Sequence, residues 1–231
     1  MVSNLLKNDE LPEGDFIPHT PVAYTLEEMV SRSEAFYQLL QQRRSVRHFA
    51  KTPVPIEILR SCIAAACTAP SGANKQPWTF CVIADPVLKA EIRRKAEEEE
   101  YRSYNGRMSD QWIADLKPLG TDPFKPFLED APYLIAVFKK VFDEVNGKKV
   151  PNYYVSESVG IATGMLLAAL HNAGLSSLTH TPSPMNFLAE ILNRPESEKA
   201  YLLIPLGYAD PDAKVPNIGR KPLSAVSAEY L

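Results

Sequence analysis

Apolar residues recur at helical spacing over residues 26–42, where Leu26, Met29, Val30, Phe36, Leu39 and Leu40 form one stripe and predict a helix facing a core. Thr25-Leu26-Glu27-Glu28 has capping-box spacing at its start. A second helix opens at Pro55, with Ile56, Leu59 and Ile63 on one side, and ends near Thr68. Residues 78–84 read as a strand. Asp85-Pro86 then opens a third helix that runs through Glu97-Glu98-Glu99-Glu100 towards Tyr104. A short amphipathic helix over residues 109–119, carrying Trp112 and Leu116, precedes a strand over residues 133–138 and a turn at Asn146-Gly147. The best-defined helix covers residues 152–172. It is apolar nearly all round through Ile161, Met165, Leu166, Leu167 and Leu170, which predicts burial in a core or a subunit interface, and Gly174 stops it. Strands over residues 175–179 and 201–206 flank a short helix over residues 185–193. Helices alternating with four or five strands give an α+β fold with a mixed, three-layer sheet, whose strand order periodicity does not supply.

Composition narrows the partners. Lys plus Arg number 25 against 28 Asp plus Glu, a net charge of −3, which argues against nucleic acid or anionic lipid as the main partner. Cys62, Cys67 and Cys81 are an odd set in apolar surroundings, expected as core thiols of a cytoplasmic protein. Residues 1–14 are polar and acidic and resemble neither a signal peptide nor a membrane anchor, and the longest apolar run, near residues 165–170, is too short to span a bilayer. With Pro12, Pro18 and Pro21 and no periodicity, residues 1–24 are expected as an extended arm, leaving 25–231 as one domain.

Three stretches carry candidate chemistry. Arg43-Arg44-Ser45-Val46-Arg47 lies where the first helical pattern ends; if extended, it places Arg43, Ser45 and Arg47 on one face, a set suited to a phosphate. Taken alone, it reads equally as a solvated basic helix end. The loop Pro70-Ser71-Gly72-Ala73-Asn74-Lys75-Gln76-Pro77-Trp78 combines small residues with side-chain amides, which suits close approach to a flat ligand or an ordinary connection. Glu100 and Tyr104 stand four apart on a helix, and Lys125 follows between prolines, in a stretch (about 97–128) whose thin apolar pattern resembles a lid. The glutamate run itself reads as a solvated face. No Gly-rich dinucleotide loop, G-x-S-x-G elbow, Cys/His nucleophile pair or metal-ligand cluster is present, so no metal is expected.

In order along the chain, the Arg43–Arg47 stretch, the Pro70–Trp78 loop, Thr181-Pro182 after a late strand and Gly219-Arg220-Lys221-Pro222-Leu223 resemble the flavin-dependent nitroreductase superfamily over about residues 25–224. Within it, Glu100, Tyr104 and Lys125 on the acidic lid resemble the iodotyrosine deiodinases. The resemblance implies an intertwined α+β homodimer holding FMN at the subunit interface. Arg43, Arg44, Ser45, Val46, Arg47 and Arg220 would hold the cofactor together with Pro70, Ser71, Gly72 and Asn74, of which Ser71 and Gly72 come from the partner chain, and with Thr179, His180 and Thr181. Thr181 would approach flavin N5 and favour one-electron steps, the catalytic role. Glu100 would take the ammonium and Lys125 the carboxylate of a halotyrosine, Tyr104 adding a hydrogen bond and the Ala73 amide meeting the phenolate. An external reductant, NAD(P)H or a reductase, is implied. An NAD(P)H-dependent nitro or quinone reductase and a non-catalytic flavin-binding protein are the alternatives.

Overall fold

In a computed structural model, residues 17–231 are described, so most of the expected N-terminal arm falls outside the described residues. The chain divides into two compact units, Met1–Gln38 and Leu39–Leu231, with the boundary inside helix α1 (Leu26–Gln41). In the first unit the capping box forms: Thr25 N–H donates to Glu28 Oε2 at 2.8 Å, and Glu28 N–H donates to Thr25 Oγ1 at 3.2 Å. The apolar stripe of α1 does not face a core. Leu26, Met29 and Phe36 are 77%, 56% and 55% exposed, and no residue of the helix is buried. Periodicity reports an apolar face but cannot say whether the chain itself covers it.

In the second unit, strands β1 (Trp78–Ile83), β2 (Tyr133–Lys140), β5 (Ser176–Ser177) and β6 (Glu198–Gly207) form one sheet in the order β1-β2-β6-β5, each neighbour antiparallel. The parallel element is an isolated bridge between Ser45 and Ser177. A separate hairpin, β3 (Phe142–Val145) with β4 (Lys148–Pro151), turns at Asn146-Gly147. Alternation along β2 divides the core in two. Leu134, Ala136 and Phe138 pack with Ile92 and Ala96 of α3 (Pro86–Arg102), Phe127 and Leu128 of α5 (Phe127–Asp130), and Phe187 and Leu188 of α7 (Asn186–Ile191). On the opposite face, Ile135 and Val137 pack with Leu59 and Cys62 of α2 (Ile56–Ala66) and Leu166 and Leu170 of α6 (Val155–Asn172). The product is a sheet between two helical layers. Helix α4 (Asp110–Leu116) has no buried residue, whereas Phe127 and Leu128, at the end of the stretch read as lid, belong to the core.

Lys89, on α3, is buried because its ammonium replaces water at a helix end. Its Nζ donates to the Glu129 carbonyl at 2.8 Å and the Ala131 carbonyl at 2.7 Å, capping α5. Lys89→Met keeps the stem and leaves both carbonyls unsatisfied. We expect a loss of about 2 kcal/mol in unfolding free energy, measured by urea titration.

Candidate active site

Helix α1 gives out at Gln41, and the chain runs extended past Ser45, where Val46 N–H donates to the Ser177 carbonyl at 3.2 Å. Val46 is buried in the first core, so its neighbours in the alternation turn the other way. Arg43, Ser45 and Arg47 line a cavity of about 210 Å³, joined by Arg220 and Gly219 from the C-terminal turn and by Leu119. Arg220 is held by the chain end of α1, donating to the Gln41 carbonyl at 3.0 Å and the Arg43 carbonyl at 2.7 Å. Arg44 also lines the cavity while its guanidinium donates to the Pro216 carbonyl. Among the described residues no carboxylate pairs with any of these four arginines, an arrangement that costs mutual repulsion unless a polyanion enters.

The second cluster is on the stretch expected as a lid. Asp85 caps α3 by accepting from Val87 N–H at 2.7 Å, and the helix presents Glu100 and, just beyond its end, Tyr104 to the returning chain. Glu100 Oε2 lies 3.2 Å from Lys125 Nζ; the two residues are 9% and 2% exposed. Lys125 also donates to Thr121 Oγ1 at 3.2 Å and to the Asp122 carbonyl, and its Nζ lies 5.7 Å from the Tyr104 ring centre. Tyr104 O–H donates to the Thr121 carbonyl at 3.1 Å. Burial pushes the Glu100 carboxyl above its ordinary range, and Lys125 pulls it back only in part. A second cation would therefore be welcome at this carboxylate. Burial also lowers Arg47 and raises Tyr104, and Leu119, between Tyr104 and Lys125 in the chain, lines the cationic cavity. The glutamate run is thus not one solvated face. Glu98 pairs outward with Arg94 and Lys95, Glu99 pairs with Arg102 and Arg107, and Glu100 turns inward.

The strand expected over residues 175–179 is only Ser176–Ser177, and just past it Thr179 and Thr181 are exposed and His180 between them is buried. Both backbone groups of His180 bond to Leu203, at 2.8 and 2.9 Å, and its ring meets Phe127 edge-on at 5.6 Å between centres. Its Nε2 has no hydrogen-bond partner among the described residues. Burial, then the Lys125 and Arg47 charges, push the imidazole down to about 3.

The Pro70–Trp78 loop bonds partly within itself and partly to its own chain, where Lys75 pairs with Asp143 at 3.7 Å and Gly72 N–H donates to Ser158 Oγ at 3.4 Å. Gln76 N–H donates to Ser71 Oγ at 2.9 Å, and the Gln76 amide donates to Asn74 Oδ1 at 3.3 Å. Ala73, Asn74 and Gln76 all hold positive φ, at 49°, 52° and 45°, a concentration of backbone strain. Gly72 is small for the sake of this chain: a Cβ there would stand 2.9 Å from the Tyr154 ring. Pro70, Ser71, Gly72, Ala73 and Asn74 are absent from the lining of the cationic cavity. Sequence reading passed over Thr121, which serves both Tyr104 and Lys125, and Leu119, Pro216 and Ile218 in the cavity wall; no local pattern marks them.

Known proteins share this architecture. The nitroreductase family model matches residues 40–208. The chain is 55% identical over 216 residues to an iodotyrosine deiodinase of Haliscomenobacter hydrossis, covering 93% of this chain and 97% of that one. It is 47% identical over 214 residues to iodotyrosine deiodinase 1 of Homo sapiens, covering 92% and 74%. Among solved structures it is similar to oxidized iodotyrosine deiodinase bound to FMN and 3-iodo-L-tyrosine, with a TM-score of 0.73, 34% identity, and coverage of 85% of this chain and 98% of that one. A likeness of fold alone, at a TM-score of 0.67, 22% identity and coverage of 87% and 100%, links it to the FMN-dependent nitroreductase NfnB from Mycobacterium smegmatis in complex with NADPH.

The buried imidazole sets a pH dependence. Its folded value, about 3, lies below the roughly 6.5 of an unfolded chain, so the unfolded state binds the extra proton. The stability this contributes is present above pH 6.5 and is lost as pH falls towards 3. His180→Leu should flatten the stability profile between pH 6 and pH 4 by close to one proton, or about 1.4 kcal/mol per pH unit at the acid end, read from denaturant midpoints across that range.

Proposed function

The chain belongs to the nitroreductase family, and from that premise we propose that it is an FMN enzyme that reductively dehalogenates halotyrosines. One observation carries the reading: a carboxylate and an ammonium, both buried, stand 3.2 Å apart on a stretch whose Leu119 lines the cationic cavity. A free amino acid offers the complementary pair of charges, and burial makes each contact stronger than it would be in water.

The cavity fits FMN, whose phosphate is a dianion, because it presents four guanidinium groups and the Ser45 hydroxyl with no carboxylate against them. When bound, FMN supplies the reducing electrons. Overall, a carbon–halogen bond is exchanged for carbon–hydrogen: two electrons and one proton are taken up and halide is released. In this reading Arg43, Arg44, Ser45 and Arg220 anchor the phosphate end and the Val46 backbone keeps the strand against the sheet. Arg47 places a positive charge by the flavin's N1 edge, favouring the reduced form. Thr181, with Thr179 and His180 in the segment after β5, would offer its hydroxyl to the ring nitrogen N5. Glu100 takes the substrate ammonium, Lys125 its carboxylate, Tyr104 a further hydrogen bond, and the Ala73 amide the phenolate oxygen. The lid, expected over about residues 97–128, would then keep water from the ring.

A homodimer completes the site. The exposed apolar stripe of α1 and the exposed Leu223, Val226 and Tyr230 support a large intersubunit contact. The position of Pro70, Ser71, Gly72 and Asn74 away from their own chain's cavity supports their serving the partner's. NAD(P)H, or a reductase that uses it, is the proposed electron source. Three unpaired thiols support a cytoplasmic setting, and among the described residues no helix is long and apolar enough to cross a membrane.

Anaerobic mixing of the reduced protein with 3-iodotyrosine should reoxidise the flavin rapidly and yield iodide and tyrosine. Reoxidation by a nitroarene alone would mark a nitroreductase instead. Glu100→Gln and Lys125→Met should each weaken 3-iodotyrosine binding by roughly a hundredfold while FMN is retained, read by flavin fluorescence titration. Light scattering should give twice the 25.7 kDa chain mass, and Met29→Glu with Phe36→Glu should yield monomers that lose FMN.

A further inference from the structure

Halotyrosine recognition uses only Glu100 of the acidic run, and Glu98 and Glu99 pair with cations close by on the same stretch, which leaves Glu97 to be accounted for. Glu97 lies one turn before Glu100, and its Oε1 accepts the backbone N–H of Lys125 at 2.7 Å and the Nε–H of Arg93 at 2.8 Å. Arg93 in turn donates to Glu129 Oε1 at 3.2 Å, and Lys89, a turn further back, caps α5. One face of α3, at positions 89, 93, 97, 100 and on to 104, therefore grips the returning segment from residue 131 back to residue 121, in reverse order. Within that row the Glu97 contact has a particular place. Pro123 and Pro126 have no N–H to give, and the Phe124 N–H is spent locally on Asp122 Oδ1 at 2.8 Å. Lys125 N–H is thus the one main-chain donor of residues 123–126 that reaches α3.

We propose that Glu97 is a positioning residue for the amino-acid end of the substrate: by fixing the main chain at Lys125 it fixes where the Lys125 ammonium stands. The inference rests on the halotyrosine reading of that lysine. A lysine side chain is long and flexible, so its ammonium is located only as well as its Cα and its partners allow. The partners of Lys125 Nζ are Glu100, Thr121 and Asp122, two of them on the same short return segment. Without the Glu97 contact that segment carries its own reference points away with it. A carboxylate suits the task because one oxygen serves both donors and Arg93 balances its charge, leaving the field of the Glu100–Lys125 pair undisturbed.

Binding to the FMN-loaded full chain tests this, with 3-iodotyrosine and 2-iodophenol as probes and flavin fluorescence as the readout. The phenol keeps the ring and halogen and lacks the group that Lys125 meets. Glu97→Ala should weaken 3-iodotyrosine about tenfold or more, the loss of one charge-assisted hydrogen bond, and leave 2-iodophenol within about twofold. Glu97→Gln, which keeps an acceptor oxygen, should recover most of the affinity. Arg93→Gln, which frees the carboxylate, should give a smaller loss of the same selective kind. Unchanged 3-iodotyrosine affinity in Glu97→Ala, or a loss shared equally by both probes in either the Ala or the Arg93 variant, overturns the proposal. Wild-type protein that binds both probes equally would overturn the halotyrosine reading, and this one with it.

Discussion

Removing Glu100 and Lys125 from water is the costliest step in building this site, and the surrounding lid is arranged to offset it. Two ions taken out of solvent lose hydration worth several kcal/mol each, and their attraction restores that only if the remaining hydrogen-bonding capacity is also met. Lys125 meets its share through Thr121 and Asp122. For Glu100 burial outweighs the neighbouring ammonium, and its carboxyl stays above its ordinary range. A pair left short of one cation is poor structural economy and good recognition, since a ligand ammonium can supply what the fold withholds. The lid's thin apolar content follows from the same constraint: polar contacts, more than a core, must hold it shut.

Much of the sheet and its helical layers was legible in the chain. β1, β2 and β6 fall where alternation and continuous apolar runs place them, because a strand buried on both faces must be apolar at every position. The hairpin of β3 and β4 was readable only as a turn, since its strands are short, polar and outside the main sheet. The stripe on α1 was legible as apolar and misleading as core. A single chain's sequence carries no mark distinguishing the surface it buries on itself from the surface it buries on another copy.

The candidate site divides in the same way. Extended geometry after α1 follows from the residues, with Val46 inward and Arg43, Ser45 and Arg47 outward, because period-two alternation is a local property. That Arg220 joins them, about 180 residues downstream, follows from nothing local; it depends on the C-terminal turn meeting the end of α1. The glutamate run shows the limit most sharply. Four identical residues in a row point around a helix at about 100° intervals, so they must differ in partner, yet only the position of the return segment decides which one turns inward.

Charge counting ties the two halves of the site together. The cavity gathers four guanidinium groups without a carboxylate, whereas the lid pairs one carboxylate with one ammonium, so the first holds a large excess of positive charge and the second holds none. Each half would suit a different guest: a dianionic phosphate would offset two of the cavity's four charges, and a zwitterion, itself neutral overall, would add no net charge beside Glu100 and Lys125. A simple carboxylate or a simple amine would satisfy one lid partner and leave the other ion buried with its compensation disturbed. The two halves meet along the chain itself, since Leu119, which lies between Tyr104 and Lys125, lines the cavity beside Arg47, so the segment that carries the second cluster also forms part of the wall of the first.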